Sequence, residues 1–189
     1  MPRAGLTPAI VVDRGLALAD EGGLEQLTLA ALAARLGVAL PSLYKHVGGL
    51  DDLRRRMAVA ATAELARRLG EAVAGRSGLD ALGAMAEAYR RYAGEHPGAY
   101  PLTQVAPGPG DAEHEAEAER AASAVFAALR AYSLEGDDAI DATRALRAAL
   151  HGFVLLETGG GFGLARPPSV SFERMIAGFD AAFRAWRAG

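Results

Sequence analysis

Residues able to do chemistry cluster in one short run. Ser42, Tyr44, Lys45 and His46 alternate with Leu43 and end at Val47. A hydroxyl, a phenol, an ammonium and an imidazole are all hydrogen-bond donors, and they suit an anionic, acceptor-rich partner. Tyr44 and His46 can donate to phosphate oxygens, and Lys45 can meet a phosphate or a guanine edge. Thr28 upstream offers a second hydroxyl, and Leu40 and Pro41 open the run. The chemistry of catalysis is not signalled. The chain has no Cys, no HExxH and no G-x-S-x-G, so neither a nucleophile nor a metal-ligand set is expected. His114 sits among alternating acids in "DAEHEAEAE" (111–119), which reads as a solvated acidic helix. "GGGFG" (159–163) lacks the Lys-Ser/Thr and the preceding strand of a phosphate loop and reads as a flexible connection. No catalytic residue, metal or cofactor is expected.

The elements that must position the polar run are helices. Thr7 can cap a first helix with Pro8 at its first position, and Gly22-Gly23 ends it. Thr28 can cap a second helix carrying Leu29, Leu32, Ala33 and Leu36, which Gly37 ends. After three residues Pro41 opens a short helix, "PSLYKHV". Two short helices joined at Gly37, with Ala33 small enough for close approach, form a helix-turn-helix pattern. The second helix of such a unit enters the major groove of DNA, its N-terminal residues toward the bases. An ordinary helical hairpin in a core would share the spacing, but it leaves the polar run without a task.

The rest of the chain fits one helical protein of ordinary size. Of its 189 residues, 43 are Ala, the best helix former, and few are β-branched or aromatic, which argues against a sandwich or barrel. No apolar run approaches a membrane span and residues 1–15 do not read as a signal peptide, so a cytoplasmic location is expected. Net charge is −3, yet residues 1–70 carry nine Lys/Arg against seven Asp/Glu, while 71–189 carry eleven against sixteen. The split suggests two tasks in one chain. The spacing predicts about nine helices and no strand. Met85, Tyr89, Tyr92, Phe126 and His151, with Tyr100 and Phe153 nearby in kind, could line an apolar effector pocket or could be plain core. Phe172, Met175, Ile176, Phe179, Phe183 and Trp186 form a stripe too aromatic for a lone helix. Paired with a central helix carrying Leu146, Leu150 and Phe153, it predicts a symmetric four-helix dimer interface.

"LTLAALAARLGVALPSLYKHVGGLDDLRRRM" resembles the DNA-binding region of TetR-family transcriptional regulators. The L-Y-x-H-V ending at Val47, the two acids that follow and Leu53 carry the likeness over residues 7–65. "LHGFVLLE" (150–157) is similar to one C-terminal subclass, with Leu150 where that pattern has Trp. The resemblance implies an all-helical regulatory domain whose two late helices pair two chains. Two positions depart from it. Leu50 stands where members often have a phosphate-binding Lys, and Ala30 replaces a residue that can be basic. Arg54, Arg55 and Arg56, and Arg3 as a minor-groove arm, could compensate. Alternatively, the Arg run is a solvated face answering Asp51 and Asp52.

These readings predict an all-α protein divided as a DNA-binding unit (1–50), a connecting helix (51–70) and an effector-binding and dimerisation domain (71–189). The expected function is a homodimeric transcriptional repressor. Its DNA contacts are Thr28, Leu40, Pro41, Ser42, Tyr44, Lys45 and His46, its operator is two-fold symmetric, and a small hydrophobic effector releases it. The alternative is a helical small-molecule-binding protein with a vestigial helix-turn-helix.

Overall fold

The computed structural model describes residues 5–186. Eight α-helices follow one another: α1 (Pro8–Gly22), α2 (Leu29–Leu36), α3 (Leu40–Leu43), α4 (Leu50–Val73), α5 (Gly78–Glu95), α6 (Ala112–Leu129), α7 (Gly136–Thr158) and α8 (Pro168–Ala185). Short 3₁₀ turns occur at Leu24–Gln26, Tyr100–Gln104 and Arg130–Tyr132, and there is no strand among the described residues. The all-α expectation holds, with eight helices for about nine. Arg3 lies outside the described residues.

The chain forms two compact units. The first comprises residues up to Glu64 together with His96–Glu117. The second comprises Leu65–Glu95 and the residues from Ala118 onward. The chain therefore passes between units three times, at 64/65, 95/96 and 117/118. A simple cut near residue 50 or 70 does not anticipate this. The segment after α5 returns to the N-terminal unit.

Local rules set the first unit's helix ends. Thr7 caps α1 by accepting a bond from Ile10 N–H (3.3 Å), and Thr28 caps α2 by accepting one from Ala31 N–H (3.0 Å). Gly37 adopts a left-handed conformation (φ 67°). There its N–H meets Ala34 O, and Val38 N–H reaches back to Ala33 O at 3.1 Å. That is a Schellman ending, which a residue with a Cβ reaches only under strain. The core beneath is Val11, Leu27, Leu32, Leu43, Leu53 and Met57, each at most 1% exposed. Gly15 lets α1 approach α4 closely, because a Cβ there would lie 2.9 Å from Met57 Sδ.

The return segment is clasped onto α1. Asp20 Oδ1 accepts bonds from Gly98 N–H (2.9 Å) and Ala99 N–H (2.8 Å), and its Oδ2 lies 2.8 Å from His96 Nδ1. A Cβ on Gly98 would overlap the Ala19 carbonyl. His114 is also in this unit. It is 3% exposed, and its Nε2 lies 3.4 Å from the Thr62 hydroxyl. The stretch around it is helical, as expected, but His114 itself is buried and not solvated.

In the second unit α5 packs against α7 and α8. Arg90 joins them. Its guanidinium holds Glu157 (2.5 and 2.8 Å) and lies 4.9 Å from the Phe172 ring centroid. The hydrogen bonds from Arg90 hold the Glu157 carboxyl below its usual range despite its partial burial. Tyr132 donates to Asp180 (2.7 Å) and stacks edge-on against Phe183. Burial, reinforced by that bond, pushes the Tyr132 phenol up.

Candidate DNA-binding face

The recognition segment is built from buried anchors and outward donors. Leu43 (0% exposed) and Val47 (2%) fix which side faces the core. Tyr44 (57% exposed), Lys45, Leu40 and Pro41 then point outward, and Ser42 and His46 are half-buried. The α-helix itself covers only Leu40–Leu43, and Tyr44–His46 continue as a turn closed by His46 N–H and Val47 N–H on Leu43 O. The expected helix is thus shorter than its sequence suggests. Thr28 is exposed at the N-terminus of α2. Its oxygen is occupied as the cap acceptor, but the hydroxyl proton remains free to donate to a phosphate.

The turn after this segment is held from α4. Asp52 Oδ2 accepts from Gly48 N–H at 2.8 Å, and Arg56 Nε meets both carboxylate oxygens of Asp52 at 3.0 Å. The Gly48 bond, then Arg56, lowers the Asp52 pKa. The three arginines therefore differ. Arg56 answers Asp52, as the solvated-face alternative requires. Arg55 instead reaches Asp111 and Glu113, both at 3.1 Å. Arg54 makes no ion pair with a described residue. Arg35 is paired with Glu21. Leu50 is half-buried against the first unit's core, which gives it a packing task where a basic residue would have none.

The expected effector residues are scattered. Met85, Tyr89 and Tyr92 are packed core on α5, Phe126 on α6 is 41% exposed, and His151 on α7 is half-buried. Periodicity correctly marked the α5 positions as inward but could not tell core from pocket lining. A separate depression of about 370 Å³ in the second unit is lined by Arg68, Glu71, Ala72, Ala88, Arg91 and Glu95, a polar set that apolar patterning could not flag.

The expected dimer stripe needs correction on physical grounds. Leu146, Leu150, Phe153, Phe172 and Phe183 are buried within the protomer, Met175 and Phe179 are half-buried, and Trp186 is 38% exposed. Of the α8 stripe, Phe172, Ile176 and Phe183 are consumed within the protomer, while Met175, Phe179 and Trp186 keep surface. The outward side of α8 includes Ala177, Gly178, Ala181, Ala182 and Ala185 along with Glu173, Arg174 and Arg184, and that of α7 includes Ala148, Leu155 and Leu156.

Among the described residues there is no group of His, Cys, Asp and Glu that could hold a metal ion, and no helix is long and apolar enough to cross a membrane. An α2–turn–α3 unit that buries Leu32 and Leu43 while turning a phenol and an ammonium outward defines a helix-turn-helix DNA-binding protein. A family model described as the tetracycline-repressor-like C-terminal domain matches residues 82–179. The chain belongs to this family, the TetR-type helix-turn-helix transcriptional regulators, as the motif at 28–47 implied. An HTH-type transcriptional regulator of Mycobacterium tuberculosis is 42% identical over 158 residues, covering 83% of this chain and 72% of its own. The HTH-type transcriptional regulator YobS of Bacillus subtilis is 33% identical, covering 82% and 81%. A TetR variant from Acinetobacter baumannii AYE, solved with minocycline, has a TM-score of 0.71 at 22% identity, covering 98% of this chain and 100% of its own. At that identity the likeness is one of fold.

Proposed function

We propose that this regulator acts as a homodimeric, sequence-specific repressor released from its operator by a small molecule. The observation that carries the reading is the outward set on the recognition segment, Tyr44 and Lys45 above the buried Leu43 and Val47. Phosphate contacts from Tyr44, Thr28 and half-buried His46 would set the register, and Leu40, Pro41, Ser42 and Lys45 would face the bases. Dimerisation uses the outward sides of α7 and α8, where alanine and glycine permit close helix approach beside Leu155, Leu156 and Trp186. A two-fold dimer demands a two-fold operator.

Release is a population shift, in which the effector favours a dimer whose recognition segments no longer match successive major grooves. The effector is assigned to the second unit, where Phe126 keeps an exposed aromatic ring and His151 a half-buried polar tip, while Tyr89 lies packed in the core. The precedent is the TetR structure holding minocycline. The chain offers two routes for the signal beyond α6. One is α4 itself, and the other is the end of α5, which continues directly into the segment that Asp20 clasps to α1.

The test is a mobility shift with the DNA upstream of the protein's own gene, over a salt series. With Arg35, Arg55 and Arg56 already paired, Arg54 and, where it does not read a base, Lys45 are taken as the phosphate contacts of this face among the described residues. Two contacts per protomer give a log K against log salt slope of about −3.6 for a dimer, at roughly −0.9 per phosphate. Lys45→Ala should weaken binding by about 1–3 kcal/mol if it reads a base, or flatten the slope by about one per site if it meets phosphate. No shifted complex, from a folded protein, would favour the small-molecule-binding alternative.

A further inference from the structure

The recognition segment is poor in side chains that read bases by hydrogen bonding. Between Gly37 and Val47 there is no Arg, Asn, Gln, Asp or Glu. Those are the residues that pair bidentately with guanine or adenine, or accept from cytosine. Lys45 is the one long donor in the segment, while Ser42 and His46 are half-buried. Helix α2 does not make up the deficit. Its exposed residues are Ala30, Ala34 and Arg35, and Arg35 is held by Glu21.

The segment presents apolar surface instead. Ala39, Leu40 and Pro41 are consecutive and exposed, with Leu40 at 37% and the Tyr44 ring beyond them. The core takes Leu43 and Val47 from the segment, while Leu40 at its N-terminal end is left 37% exposed. In the major groove the C5-methyl of thymine is the one apolar feature on any base edge.

We propose that the recognition segment reads thymine methyl groups, with Leu40 as the specificity-determining residue. Each half-site then carries thymine beneath Leu40 and Pro41, next to the position met by Lys45. This rests on the DNA-binding reading and adds to it the chemistry of the sequence that is read. Burying one methyl is worth about 0.8 kcal/mol, close to a four-fold change in affinity.

The experiment first selects a bound site from a random duplex pool with the full-length protein. The best site is then resynthesised with uracil in place of thymine, one position at a time, which deletes only the methyl. Wild type should lose about four-fold at one or more positions in each half-site. Leu40→Ala should lose a similar factor on the thymine site and no longer distinguish thymine from uracil there. Circular dichroism confirms that this variant is folded. Uniform indifference of the wild type to uracil would overturn the proposal while leaving DNA binding intact. So would an undiminished uracil penalty in Leu40→Ala. Failure of the folded protein to enrich any sequence would remove the DNA-binding reading, and this proposal with it.

Discussion

Gly98→Ala should destabilise the protein, although adding a methyl to a glycine often does the reverse. Gly98 does not have a positive φ, so alanine suits its backbone, and loss of freedom in the unfolded chain alone would stabilise by about 0.4–1 kcal/mol. The folded state has no room, because the new Cβ overlaps the carbonyl of Ala19 on α1. The segment must lift, and lifting it breaks the bonds from Gly98 N–H and Ala99 N–H to Asp20. Hydrogen bonds to a charged group are worth roughly 1.5–3 kcal/mol each. With the Asp20 side chain 20% exposed, the lower end applies, about 3 kcal/mol for the pair. Subtracting the unfolded-state gain leaves about 2–2.5 kcal/mol, or roughly 5–10 °C in Tm for a chain of this length. Urea unfolding followed by far-UV circular dichroism measures this directly. Asp20→Ala should cost a similar amount, and the double variant little more than either single, because both remove the same contact. Stability equal to or above wild type for Gly98→Ala, or strict additivity with Asp20→Ala, would refute the clasp.

Phe183→Ala should cost about 3–5 kcal/mol, since the ring is fully buried and packs against Tyr132, Phe179 and Trp186. Thermal unfolding reads it, and a loss below about 1 kcal/mol would mean the ring is not core. Stability should also fall on acidification. The pKa values of Asp52, Glu157 and Asp180 are all lowered on folding, so their contribution is complete above their ordinary values of 3.8, 4.5 and 3.8 and is lost as pH drops through the lower folded values. Arg90→Gln should flatten this acid limb by releasing Glu157, and an unchanged pH profile for that variant would show that the pair does not contribute.

What the sequence disclosed and what it withheld divide along the distance between interacting residues. The caps at Thr7 and Thr28 and the left-handed Gly37 were legible because each acts within a few positions of itself. The recognition segment was legible for the same reason: Leu43 and Val47 mark its inward side, and the polar run between them has no competing use. The return of residues 96–117 to the first unit was not legible. It depends on Asp20 meeting amides 78 and 79 positions away, and Pro97-Gly98 reads locally as nothing more than a helix break. His114 misled for a related reason. Its neighbours are acids that face solvent, while its own burial depends on Thr62, 52 positions distant.

The α8 stripe shows the same limit in its most consequential form. Helical spacing establishes that Phe172, Ile176 and Phe183 face something apolar, but it is silent on whether that surface belongs to the same chain or another. Here it belongs to the same chain, where Phe172 packs edge-on against Phe153 with Arg90 across its ring. Phe172 and Phe183 are therefore spent on the protomer, and the outward face is left to alanine and glycine beside Glu173, Arg174, Arg184 and Trp186. Such a face gains little from area per residue but allows helix backbones to come close, so in the proposed dimer shape counts for more than hydrophobicity. A bulky charge introduced at Ala181 tests that distinction better than one at Phe179. Ala181→Glu keeps the protomer core intact, so any loss of association in sedimentation comes from the outward face. A dimer unaffected by Ala181→Glu would place the interface elsewhere.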